Sequence, residues 1–372
     1  MGKDYMISMN DFKAEPAELR AAMLCAVGRV LESGWYVLGK EVGAFEKKWA
    51  DACGVAYGVG VGNGMDAIEI ALRALNIGPG DEVITTPMTA FASVLAILRA
   101  GATPVLADIE PDSALLSMDS AERCISTKTK AVLLVHLYGQ VRGMDAWVGF
   151  CKKHEIALLE DCAQAHLATW KGKAAGSFGV AGAYSFYPTK NLGAPGDAGM
   201  LITDDEAIAQ RASRLRNYGQ SVRYHHPELG MNSRLDEIQA AMLIERLKWL
   251  PEFTERRRQI AQAYRAEIIN PLVRNLARPD EPQAHSYHLY VITCNTRAAM
   301  QAHLLRSQVQ SLIHYPIPVH KQPPCLAVAR DPFGLHNCEQ YSATCLTLPC
   351  HPQMTKRDVD AVIAALNSFK GE

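Results

Sequence analysis

The chain of 372 residues is 48% apolar and 21% charged, with a formal net charge of −1. That is the balance of a soluble globular protein with room for two domains, and it has neither the basic excess that nucleic acid attracts nor an acidic tail. The start, MGKDYMISMNDFKAEP, lacks the apolar run of a signal peptide, and the longest apolar runs have the length of buried strands rather than membrane spans. Ten cysteines occur without a CxxC pair, as expected of reduced thiols in the cytoplasm. Cys338, Cys345 and Cys350 lie near His336 and His351 at spacings that match no zinc pattern, so no metal is expected.

Residues 16–33 carry apolar positions at helical spacing and start at a proline, which predicts an amphipathic helix. Gly34 to Gly39 interrupts it with the pair Trp35-Tyr36, either a packed turn or a lip of an active site. EVGAFEKKWADACG resumes a helix. From residue 55 short apolar strands and helices alternate. VAYGVGVGNG leads into MDAIEIALRALNIGPG, which Gly78-Pro79-Gly80 stops; DEVITTP, TAFASVLAILRAG, TPVLADI, KAVLLVHLYG, MDAWVGFCKKHE and IALLED continue the plan. Such alternation predicts an α/β fold with a mostly parallel central sheet covered on both faces, and ligands beyond the carboxyl ends of its strands. Residues 204–218 read as an exposed helix followed by a loop. SRLDEIQAAMLIERLKWL reads as a long helix whose capping signal is Ser233 followed three residues later by Asp236. After Pro251, TERRRQIAQAYRAEI is a further helix, its arginines 256–258 forming a solvated face. YHLYVIT predicts a strand, AAMQAHLLRS a helix, and SLIHYPIPVHKQPP a strand entering a proline-rich loop. The last third is therefore expected to be a smaller α+β domain, which divides the chain into 1–248 and 249–372.

Three stretches carry candidate chemistry. AGAYSFYPTKNLGAPGDAGM sets one lysine, Lys190, among prolines and glycines that forbid a long helix. Alone it could be an exposed lysine in a flexible loop; held at the floor of a pocket, its pKa would fall and its free amine could form a Schiff base. The strand IALLE ends at Asp161, with Gln164 and His166 just beyond, and a buried acid there needs a cationic partner. The junction GVGNGMDA offers free backbone N–H groups at a helix start, suited to a phosphate, without a dinucleotide or P-loop spacing. Lys190, Asp161 and Gly64–Met65 supply the amine, the carboxylate for a protonated ring nitrogen, and the phosphate cradle that pyridoxal phosphate needs.

These words, with GPGDEVITTP, GATPVLADI, VHLYGQVRGMDA, LLEDCAQAH, RNYGQSVRYHH, GMNSRLDEIQAAML, YHLYVI and HYPIPVH, resemble the DegT/DnrJ/EryC1/StrS sugar aminotransferases over nearly the whole chain. The resemblance implies the aspartate-aminotransferase fold, fold type I of the PLP-dependent transferases. It makes Lys190 the catalytic Schiff-base lysine and sets Asp161 on the pyridine nitrogen. Gln164 would lie at the ring face or its O3′ oxygen, with Ser185, Gly64 and Met65 around the phosphate. Asn232 would reach the phosphate of a neighbouring subunit, which implies a homodimer with shared active sites. Two positions depart from the family pattern. Ala90 stands where an aromatic usually stacks on the cofactor, so either Phe91 fills in or another group covers the ring. Met65 stands where a small hydroxyl residue is usual.

For the sugar side, the resemblance points to Tyr187, Arg223, His314, Tyr315 and His320, with Trp35 and Tyr36 as candidate lips; loop packing and a solvated arginine are the ordinary alternatives. The implied reaction moves an amino group from glutamate to a nucleotide-linked keto sugar, nearest in wording to a dTDP-3-keto-6-deoxyhexose. A 4-keto nucleotide sugar, an inosose, or a regulator that binds pyridoxal phosphate without turnover are the alternatives.

Overall fold

The computed structural model describes residues 5–371. α1 (Ala17–Ser33) and α2 (Lys40–Cys53) precede β1 (Tyr57–Val61), and α3 (Gly64–Ala74), β2 (Glu82–Thr85), α4 (Phe91–Arg99) and β3 (Thr103–Leu106) follow. The alternation continues through α5 (Met118–Arg123), β4 (Thr129–Val135), α6 (Met144–Lys153) and β5 (Ala157–Asp161). A short ribbon of β6 (Thr169–Trp170) and β7 (Lys173–Ala174) leads to β8 (Ala181–Ser185), β9 (Gly199–Thr203) and α7 (Glu206–Leu215). α8 (Glu237–Leu247) and α9 (Leu250–Glu267) carry the chain into its last third. That part holds β10 (Arg274–Asn275), β11 (Tyr290–Thr293), α10 (Arg297–Arg306), β12 (Ala329–Arg330), α11 (His336–Thr344), β13 (Cys345–Leu348) and α12 (Lys356–Ser368).

The central sheet runs in the order β1-β9-β8-β5-β4-β2-β3-β12, and β9 alone is antiparallel to its neighbours. The mostly parallel α/β sheet expected from the sequence is therefore present. Its strands bury both faces by simple alternation. Val132, Leu134 and Leu158 pack with Phe45, Trp49, Trp147 and Leu243 of α2, α6 and α8. Ala131, Leu133 and Leu159 face the other way, onto Ile70, Ile97 and Ile208 of α3, α4 and α7.

A second sheet, β10-β11-β13, is antiparallel and packs with Ile260 and Tyr264 of α9, Leu304 of α10 and Leu366 of α12. Contacts run across residue 248 in both directions. β12 extends the central sheet alongside β3, and Ile7 pairs with Val309 and joins the second core.

Three local readings change. Ser233 does not cap α8, which starts at Glu237; its buried hydroxyl accepts the Gly62 N–H at 2.9 Å instead. Arg257 is not solvated but buried in α9, where its guanidinium donates to the carbonyls of Tyr287, His288 and Cys350. The SLIHYPIP segment forms a single bridge, Leu312 to Thr347, rather than a strand, because Pro316 and Pro318 have no N–H to give a ladder.

Candidate active site

The carboxyl ends of the parallel strands bring the three sequence candidates into one cleft. Asp161, the last residue of β5, is 6% exposed. Its carboxylate accepts the Ser93 hydroxyl at 2.7 Å and the Ala163 N–H at 3.1 Å; Ser93 in turn meets the Thr89 hydroxyl at 2.8 Å. All of these partners are neutral, so a buried negative charge faces the cleft without a cation in direct contact among the described residues. A protonated ring nitrogen fits that vacancy of charge.

Lys190 sits in the loop between β8 and β9, its backbone N–H donating to the Tyr187 carbonyl at 2.8 Å. Its side chain is half-buried on the cleft floor, accessible to a small molecule yet crowded by protein atoms. Burial pushes its amine down to about 8, against the opposing pull of Asp161. Three histidines bear on the same spot. His166 is fully buried among Trp49, Tyr184 and Phe186 with both ring nitrogens unpartnered, and burial and Lys190 lower it to about 3. Burial and Lys190 also hold His288 well below its ordinary value and bring His314 to about 4. Besides Asp161, the titratable groups that bear on Lys190 are thus imidazoles whose pKa values are lowered.

The phosphate end is built from close approach. Asn63 caps α3, its side chain accepting the Asp66 N–H at 2.9 Å, which leaves the N–H groups of Gly64 and Met65 for another acceptor. A Cβ on Gly64 would stand 2.7 Å from the Ser185 Cβ. One on Gly199 would stand 2.3 Å from the Asn63 carbonyl carbon. Helix start, β8 and β9 are thus pressed together, and the cradle suits a phosphate. Gly64→Ala is expected to raise the dissociation constant for pyridoxal phosphate at least tenfold (about 1–3 kcal/mol of overpacking), read by fluorescence titration. Gly28→Ala, inside α1 with nothing within 4 Å of the added carbon, is the control and should leave affinity unchanged.

Gln164 is fixed from two sides: its Oε1 accepts the Tyr138 N–H at 2.5 Å and its Nε2 donates to the Tyr315 hydroxyl at 3.3 Å. Burial pushes the Tyr315 phenol up to about 12. His314 accepts the Tyr138 hydroxyl on its carbonyl, and its Nδ1 meets the Thr347 hydroxyl at 2.8 Å. Lys190, Asp161, Gln164, His314 and Tyr315 therefore converge.

Others of the predicted set lie elsewhere. His320 is buried against Glu339 of α11, Nε2 to Oε1 at 3.0 Å. Phe91, two residues before Ser93, is half-buried in the apolar cluster that also receives Tyr315. Trp35 and Tyr36 lie exposed in the turn over the start of α8, with the Tyr36 carbonyl accepting the Glu237 N–H at 3.1 Å. Tyr187 is exposed three residues from Lys190, Arg223 is exposed and stacks on Tyr224 at 5.0 Å, and Asn232 is exposed beside Asn217.

Several contributors carry no sequence signal of their own. Ser93 is one hydroxyl in an apolar helix, and His288 and Asn191, joined at 3.2 Å, meet from distant segments. Glu160 behind Asp161 accepts the N–H groups of Gly176, Phe178 and Gly179 and contacts His136 at 2.8 Å. Those bonds occupy its oxygens and make the trio of His136, Glu160 and Cys162 a brace for the loop before β8.

The chain is similar to known proteins along nearly its whole length. Residues 18–367 match the DegT/DnrJ/EryC1/StrS aminotransferase family. The chain is 45% identical over 346 residues to a dTDP-3-amino-3,6-dideoxy-alpha-D-galactopyranose transaminase of Aneurinibacillus thermoaerophilus, covering 92% of this chain and 94% of that protein. It is 37% identical over 370 residues to a UDP-N-acetyl-3-dehydro-alpha-D-glucosamine 3-aminotransferase of Acidithiobacillus ferrooxidans, covering 98% of each. The crystal structure of S. venezuelae DesV in complex with a ketimine intermediate superposes with a TM-score of 0.94 at 38% identity, covering 98% of both chains.

Proposed function

We propose, from the premise that this chain belongs to the DegT/DnrJ/EryC1/StrS aminotransferase family, that it transfers an amino group from glutamate to the 3-keto group of a dTDP-linked 6-deoxyhexose. Membership makes it a sugar aminotransferase that uses pyridoxal 5′-phosphate, with a nucleotide sugar as the class of substrate. The donor, the nucleotide and the keto position are the proposal. It is supported by the 45% identity to a dTDP-3-amino-sugar transaminase.

The observation that carries the chemistry is the pairing of a buried carboxylate lacking a cation with a lysine biased toward its neutral form. When bound there, the cofactor supplies an electrophilic carbonyl and an electron-accepting ring. Gly64, Met65 and Ser185 would hold its phosphate, and Asp161 would keep a proton on its ring nitrogen. Gln164, locked by Tyr138 and Tyr315, fixes one edge of the cleft. Lys190 Nζ, its pKa lowered by burial to about 8, would take a proton from the donor carbon and return it to the carbon on the far side of the transferred nitrogen. His314 and Tyr315 line the side from which the sugar enters.

Asn232 and Arg223, both exposed in a single chain, are assigned to the cleft of a second copy in a homodimer. No helix among the described residues is long and apolar enough to cross a membrane. The ten thiols are unpaired, and the cytoplasm is the proposed location.

The test is a spectral titration of the holoprotein. Glutamate should convert the absorbance of the lysine-bound cofactor to that of the aminated form, and a 3-keto dTDP-sugar should restore it. Restoration by a 4-keto sugar alone, or by UDP-linked sugars alone, would refute the substrate assignment. A second expectation concerns cofactor capture by the apoprotein. Its rate should rise about tenfold between pH 7 and pH 9 and then level off, because the neutral fraction of Lys190 saturates above about 8. An ordinary lysine would still be climbing tenfold per pH unit at the upper end.

A further inference from the structure

We infer that the groove between α9 and residues 277–287 is a second anion site, built for a diphosphate-type ligand. The groove has a volume of about 450 Å³, and Arg258, Arg265, Arg278, Gln262, Gln283 and Tyr287 line it. One carboxylate, Glu255, stands at its edge, 3.8 Å from Arg258 and largely exposed. The cleft is therefore strongly positive.

The Arg258 and Arg265 guanidiniums are held mainly by backbone carbonyls rather than by acids. Arg265 donates to the carbonyls of Leu276 at 2.9 Å and Ala277 at 3.2 Å, and its buried Nε has no partner. Arg258 donates to the carbonyls of His285 at 3.1 Å and Gln283 at 3.3 Å. Arg278 lies on backbone fixed by Arg142, which binds the Arg278 carbonyl and Asp280. Nearby acids are engaged elsewhere: Asp280 with Arg142, and Glu281 with the Lys171 N–H. Carbonyl oxygens orient the Arg258 and Arg265 guanidiniums yet leave their charge, so two prepositioned forks and the exposed Arg278 side chain await an acceptor. Phosphate oxygens match that planar fork, and a diphosphate offers enough of them for three arginines. The volume falls in the range of small-ligand sites, so a nucleoside diphosphate fits as well as free pyrophosphate. His285, behind the groove, is held neutral at about 3 by burial and by the charges of Arg265, Arg258 and Arg142, which reflects the same positive field.

The segment behind this groove also serves the catalytic cleft. His285 and Tyr287 stack at 3.9 Å, and the Tyr287 side chain is part of the groove wall. The next residues in the alternation bond to the cleft floor: Ser286 donates to the Gln164 carbonyl at 2.9 Å and accepts Asn191 Nδ2 at 2.9 Å. His288 meets Asn191, the neighbour of Lys190, at 3.2 Å. An anion in the groove therefore stiffens the segment on which Asn191 and Gln164 rest.

The experiment is calorimetric titration of the holoenzyme with inorganic pyrophosphate and, separately, with thymidine diphosphate, alongside hydrogen exchange over residues 277–288. Arg278→Gln, whose side chain makes no internal hydrogen bond, should weaken pyrophosphate binding by about tenfold or more. Glu255→Gln should strengthen it about threefold. Both variants should keep the cofactor absorbance of the parent. Equal affinity for the two ligands assigns the site to the phosphates alone, and tighter thymidine diphosphate binding that is still lost in Arg278→Gln assigns it to a nucleotide. Binding that neither variant changes, or no binding and no added protection at 277–288, overturns the proposal.

Discussion

Lys190→Ala is expected to give a folded protein that retains at most about one thousandth of the transfer rate. The fold should survive because the contact that Lys190 makes in its loop is its backbone N–H to the Tyr187 carbonyl, which alanine keeps. The linkage sign points the same way. A lysine whose folded pKa lies at about 8, below its unfolded value, leaves the unfolded chain binding more protons, so stability rises with pH between the two values. Below about pH 8 the native state bears the cost of that burial, and alanine removes it. The melting temperature at neutral pH should therefore hold or rise, while the pH dependence of stability above about 8 flattens. Lys190→Arg should be equally inactive, because a guanidinium stays protonated and cannot serve as nucleophile or base. The measurements are single-turnover transfer from glutamate and thermal melts at two pH values. More than about one hundredth of the parent rate in both variants would remove Lys190 from the mechanism.

Much of this cleft was legible in the sequence because its chemistry is local in the chain. Strand, acid and turn at Ala157–Asp161 fix where Asp161 stands, and the glycine junction before α3 announces its free N–H groups without any tertiary information. What stayed hidden depends on contacts across the fold. Ser93 differs from any helical serine only because β5 delivers Asp161 to it. Ser233 carries a capping pattern that local rules read as a helix start, and a distant N–H, that of Gly62, takes its hydroxyl instead. Arg257 shows the same failure: three consecutive arginines read as a wet face, but helical rotation turns the middle one inward onto carbonyls. Even the sheet has a member that periodicity could not find, since β12 is two residues long and exists through its pairing with β3.

The second large effect belongs to Asp161, where Asp161→Asn should lower the transfer rate about a thousandfold without removing the cofactor. The substitution isolates charge because the local hydrogen bonds can rearrange around it. Ser93 and Thr89 share a bond in which either hydroxyl can donate. With asparagine present, Ser93 can accept from the new amide and donate to Thr89, while the amide oxygen keeps the Ala163 N–H. Stability should thus change by less than about 1 kcal/mol, whereas Asp161→Ala leaves the Ala163 N–H without its acceptor and Ser93 with Thr89 alone, and costs about 1–3 kcal/mol. What asparagine cannot do is hold a proton on the ring nitrogen of the cofactor, so electron withdrawal from the donor carbon fails even with Lys190 in place. Ser93→Ala, which removes one neutral donor and leaves the charge, should cost only about tenfold. The double variant Asp161→Asn with Lys190→Ala should be scarcely slower than Lys190→Ala alone, because both groups act on the same proton transfer. If Asp161→Asn instead transfers amino groups within about tenfold of the parent, the buried carboxylate is a structural acid and the ring nitrogen is governed by another group.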